Sequence, residues 1–216
     1  MQPVKYTTST LTNDANGICV DQTTAGAGSL SLDGALVSGG VATAAEAQIV
    51  SIEGTGNNSG VVFTLTGTTA DGQSGTENVT GANNGTAKST GHWKTITAIS
   101  VDGAITGNVE IGWLNTDTAV TPTVRVNRRQ SDFELALFGE VSSGGSMTYS
   151  CQFSPSAPRD SYTAGYSNGA DWRNVDGLTS VTTTDESNII VPVECVRFII
   201  ESFTSGTLTG TVLQSN

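Results

Sequence analysis

The stretch Gly60-Val61-Val62-Phe63-Thr64-Leu65-Thr66-Gly67 decides the fold class. β-Branched and aromatic side chains fill it, apolar and polar positions alternate from Phe63 onward, and a glycine closes each end. A period of two buries one face of an extended strand and leaves the other in water. Asp71-Gly72 then supplies a tight turn and Thr76-Glu77-Asn78-Val79-Thr80 a second run, so the segment predicts a β-hairpin.

The same pattern continues in both directions. Before it, strands are expected at 29–32, ending in the turn Asp33-Gly34, and at 48–52. After it, Asn84-Gly85 predicts a turn, 93–100 a strand, and Asp102-Gly103 a turn toward a strand at 109–113. Further strands are expected at 123–126, 133–141, 147–153 (with Tyr149, Cys151 and Phe153 on one face), 191–200 and 207–213. One helix is expected, at 42–47, where Ala-rich sequence favours it although the segment is too short to stand alone. A polar break around 115–122, carrying Pro122, separates a Lys-bearing half from an Arg-bearing one. The chain therefore reads as all-β. An extended N-terminal arm (1–28) with isolated apolar positions at Val4, Tyr6, Leu11, Ile18 and Val20 precedes two domains, 29–115 and 122–216. Each is read as a β-sandwich or jelly-roll-like unit.

Composition narrows the function. The net charge is −11, with nine acids against three Lys in residues 1–115 and eleven acids against six Arg beyond. The one basic cluster, Arg125, Arg128 and Arg129, is followed at once by Asp132 and Glu134. That is too little to neutralise many phosphates, so neither direct nucleic-acid binding nor an anionic membrane surface is expected. The start of the sequence shows no apolar signal-peptide core and no run long enough to span a membrane, which predicts synthesis in a cytoplasm. The spacing of Cys19, Cys151 and Cys195 fits no zinc motif, and their odd number argues against a disulfide framework; buried free thiols are expected.

Catalytic motifs are missing. His92 is the only histidine, and Gly91-His92-Trp93-Lys94 carries no nucleophile signature, so a structural role is expected. Asp71-Gly72-Gln73-Ser74-Gly75 lacks the alternate acids and closing Glu of a calcium loop, and reads as a turn. Asp132 and Glu134 would share a strand face, but with no aromatic platform beside them they read as solvated acids rather than a glycosidase pair. No metal or cofactor is expected. Tyr162, Tyr166 and Trp172 stand close together in the long irregular segment 154–176. Aromatics in such a loop can anchor a protein interface, stack on sugars or fold back on their own domain. Together with Val4, Tyr6 and Leu11 of the arm, they are the candidate interface residues.

Several of these runs carry a resemblance. They are 30–43, 57–72 with 76–81, 93–99, and the C-terminal patterns Pro192-Val193-Glu194-Cys195-Val196-Arg197 and Thr211-Val212-Leu213-Gln214. In these the chain resembles β-rich virion proteins of tailed bacteriophages, over most of 29–216 and most firmly before Asn115. The resemblance implies a non-enzymatic capsid decoration (cement) protein located in the virion. It also implies that the protein binds the major capsid protein and copies of itself, as a homo-oligomer such as a trimer. A tail, neck or head-fibre component, and a carbohydrate-binding module using the loop aromatics, are the alternatives.

Overall fold

The computed structural model describes residues 3–8, 10–129, 132–156 and 171–215. These residues hold seventeen strands and no helix, as the all-β reading requires. The arm supplies β1 (Val4–Thr7) and β2 (Asp14–Gln22). The first half adds β3 (Gly28–Ser29), β4 (Val37–Ser38), β5 (Val41–Asn57), β6 (Val62–Thr69), β7 (Ser74–Thr80), β8 (Asn83–Val101) and β9 (Val109–Trp113). The break itself carries β10 (Ala119–Val120). Beyond it come β11 (Val124–Arg125), β12 (Leu135–Val141), β13 (Ser146–Ser154), β14 (Arg173–Asn174), β15 (Asp185–Ile189), β16 (Cys195–Ser205) and β17 (Leu208–Gln214).

Two sheets result. One has four strands in the order β1-β17-β12-β15. The other has thirteen and runs β14-β13-β16-β10-β5-β8-β6-β7, with short branches alongside. Strand β5 is its axis. One edge of β5 pairs with β8; the other is shared in turn by β4, β10 and β9. The handover from β10 to β9 joins the halves, because β10 pairs with β5 on one side and with β16 on the other.

Each half keeps its own apolar core. Ile18, Phe63, Leu65, Trp93, Ile111 and Trp113 belong to the first. Leu11, Leu137, Tyr149, Phe198, Ile200 and Val212 belong to the second, where the four-stranded sheet packs sandwich-like on β13 and β16. Two glycines allow that packing. Gly139 and Gly210 are register partners on β12 and β17. A Cβ on Gly139 would lie 2.3 Å from the Tyr149 ring, and one on Gly210 would lie 2.5 Å from Phe198. The space they leave holds these two rings, whose centroids are 6.5 Å apart. The Tyr149 hydroxyl sits 2.9 Å from the Gly139 carbonyl and so stays hydrogen-bonded inside the core.

Several expectations need correction. Residues 42–47 are strand, not helix: Ala42, Ala44 and Glu46 are buried while β5 pairs along both edges, and those pairings override alanine's local preference. Asn84-Gly85 is not a turn. Asn84 has φ 53° at an irregular start of β8, Gly85 pairs with Gly54, and Gly81-Ala82 make the link from β7. Asp132 lies in a turn with φ 53° and Glu134 precedes β12, so the two acids do not share a strand face. The strand expected from 191 begins at Cys195. The arm is extended but not loose: β1 pairs with β17 in one half, and β2 pairs with β9 in the other.

Candidate functional site: a buried polar seam and an exposed sheet face

Where the halves meet, strands contributed by both bury polar side chains, and most of those side chains have a structural task. β8 leaves its ladder with β5 between His92 and Lys88, so residues 89–91 lose their strand partners. Glu77 of β7 replaces them. Its carboxylate accepts from the Thr90 amide (2.6 Å) and hydroxyl (2.8 Å), the Gly91 amide (3.1 Å) and the Trp93 indole (3.0 Å). A buried carboxylate is tolerable only when donors replace its water, and here four do. Ser89 completes the repair: its hydroxyl accepts from the Val50 amide and donates to the Gly91 carbonyl.

The remaining contacts tie segment to segment. Gln48 of β5 accepts from the Thr12 amide and donates to the carbonyls of Thr12 and Leu114, which fixes the arm to the sheet. Buried Asp117 receives the Ser51 hydroxyl and the Lys88 ammonium. Asp71, at the tip of the β6–β7 hairpin, accepts from both the amide (2.6 Å) and the hydroxyl (2.7 Å) of Thr123. The turn expected there is present, with Gly72 at φ 73°, and it also clasps the opposite half.

His92 and Arg197 bring ionisable groups to the seam. His92 Nε2 lies 2.8 Å from the Thr118 hydroxyl. Burial, and secondarily the Arg197 charge, hold the imidazole pKa down at about 3. Such a ring is neutral near pH 7 and too weak a base to activate the hydroxyl beside it. Arg197 is 7% exposed; its Nε donates to Gln152 Oε1 at 2.9 Å, and its guanidinium lies 4.0 Å from the centre of the Trp172 ring. The thiols are equally passive. Cys19, Cys151 and Cys195 are free and buried, and burial pushes Cys19 and Cys195 up to about 12 and Cys151 higher still. Cys151 and Cys195 lie on paired strands, opposite Phe198 and Ser154 respectively, rather than facing each other across a core.

The candidate interface residues are scattered. Leu11 is 4% exposed and belongs to the second core, so it anchors the arm to its own chain. The half-buried Tyr6 donates to Glu46 at 2.6 Å, while Val4 is exposed on the edge strand β1. One ring face of Trp172 is occupied by Arg197 of its own chain, the fold-back option among the fates open to the loop aromatics. Tyr162 and Tyr166 lie outside the described residues.

Sequence reasoning missed the outer face of the four-stranded sheet. Leu135 and Leu137 point into the core, so Ala136 and Phe138 turn outward. Grooves of about 320 and 240 Å³ flank Phe138. The signal was present: Leu135-Ala136-Leu137-Phe138 is a continuous apolar run where a strand with one wet face should alternate. Glu77 was legible in the same way, sharing the strand phase of Val79, which is buried.

The chain matches no family model, no curated protein and no solved structure.

Proposed function

We propose that this chain is a non-enzymatic structural protein of a tailed-phage virion, a capsid decoration protein that braces the head. In this reading it touches the major capsid protein and other copies of itself. The observation that supports the proposal is the use made of the buried and half-buried polar groups. Glu77, Gln48, Asp71 and Asp117 all join strand to strand or half to half. The buried thiols and His92 are moreover tuned away from reactivity. Polar groups committed to ties of this kind suit a molecule whose task is to brace others. Its low charge density and acidic balance also suit a protein that lies over packaged DNA without competing for it.

Particles assembled without the protein test the reading. They should release their DNA at lower temperature than complete particles, and adding the purified protein back should restore the resistance. Shells of unchanged heat resistance would overturn it.

A further inference from the structure

Among the described residues, five large apolar side chains stand exposed, and four of them lie on the four-stranded sheet or at its margin. Val4 is on β1 and Leu213 on β17, while Ile190 (72% exposed) and Val191 (56%) directly follow β15. Leu213, opposite Ala136, shares the outer face, and Ile190 and Val191 continue from the β15 edge, whereas Val4, opposite the core residue Val212, turns to the other face. On the outer face, Phe138 is flanked in register by Glu186 of β15 and Thr211 of β17. The two grooves beside Phe138 are lined by acids: Glu186 in both, with Glu140 and Asp185 in the second. Lys5, a base on this face, pairs with Thr211 and so stands two strands from Phe138, roughly 10 Å away. Among the described residues, β15 is the terminal strand of the sheet and its outer edge has no partner strand. An edge of this kind offers a row of free N–H and C=O groups.

We propose that the β15 edge and the Phe138 grooves together receive an extended, cationic segment of a partner protein, added as a fifth strand. Backbone hydrogen bonds to β15 would supply much of the affinity, and side chains the selectivity. A Lys or Arg stem is long enough to cross β15 and lie along the Phe138 ring. Its charge then rests among Glu140, Asp185 and Glu186. Apolar side chains of the segment meet Ile190 and Val191. A strand of this chemistry fits here whatever assembly the protein joins, so the site goes beyond the virion reading.

Fluorescence anisotropy with a labelled peptide of alternating Lys and Val tests the site. Saturable binding is expected, weakened about tenfold by Phe138→Ala and abolished when alternate peptide amides are N-methylated. The matching Glu/Val peptide should not bind the native chain, and Glu186→Lys, a change at an exposed side chain, should shift preference toward it. Absence of binding would overturn the proposal, as would binding indifferent to N-methylation. So would sedimentation showing that a second copy of the chain already occupies this edge.

Discussion

Glu77 is the residue on which the first half leans most. Removing its carboxylate leaves the Thr90 amide and hydroxyl, the Gly91 amide and the Trp93 indole without their acceptor. Stranded buried donors cost about 1–3 kcal/mol each before relaxation. Glu77→Ala should therefore destabilise the chain by roughly 3 kcal/mol or more, and Glu77→Gln, which keeps one acceptor oxygen, by clearly less. Urea unfolding of the two variants checks the order. His92 makes a prediction in pH. Its folded pKa, about 3, lies below the ordinary value of 6.5, so the unfolded chain takes up a proton that the folded chain refuses. Stability from this group is complete above pH 6.5 and falls as pH drops toward 3, at a slope approaching 1.4 kcal/mol per pH unit, roughly one proton's worth. His92→Gln abolishes that component. The stability gap between native chain and variant, measured by unfolding at stepped pH, should narrow steadily from pH 7 to 4; a constant gap would mean that His92 charges equally in both states.

At the scale of strands, β5 and β9 place Glu53 directly opposite Glu110. Burial first, then Glu53, Asp21 and Asp14, raise the Glu110 pKa. A raised carboxyl pKa means that ionisation is disfavoured in the folded state, so the penalty is present at neutral pH and is relieved as pH falls through the carboxylate range. Glu110→Gln should stabilise the chain at pH 7 by roughly 0.2–1 kcal/mol, as expected for one like-charge cross-strand pair, and the gain should vanish in acid. Scanning calorimetry at both pH values reads it. The strands also show what a sequence makes legible. The hairpin of β6 and β7 was readable because its alternation, its turn and its pairing are all local, with Val62 opposite Thr80 and Gly72 in the left-handed region. The Ala-rich start of β5 was not, because the strand that holds it, β8, brings Ile96 and Thr95 to Ala42 and Thr43 from far along the chain, and the local partner β4 is only two residues long. β10 was hidden for a similar reason: two residues beside a proline carry no periodicity, yet they pair on both sides. The polar seam was equally illegible, since Asp71 and Thr123, or Arg197 and Trp172, meet only through topology. Phe138 and Glu77 were within reach of strand phase, and reading both faces of each strand would have found them.

For the molecule as a whole, two apolar cores are bound by one sheet through β10, and Asp71 clasps Thr123 across the join. The halves should consequently unfold together in a single transition. Asp71→Ala removes two hydrogen bonds to a carboxylate, a loss of about 1.5–3 kcal/mol each before compensation. It should separate that transition into two. Calorimetry of the native chain showing two well-resolved steps would instead mean that the halves are independent beads. A doubly cored β-body with passive polar groups and, among the described residues, an unpaired β15 edge is the basis for proposing a brace on a phage head. Quantitative mass spectrometry of purified particles bears on that claim most directly. The account predicts this chain at a copy number comparable with the major capsid protein. Its absence from the particle, or a handful of copies such as one vertex would hold, would contradict it.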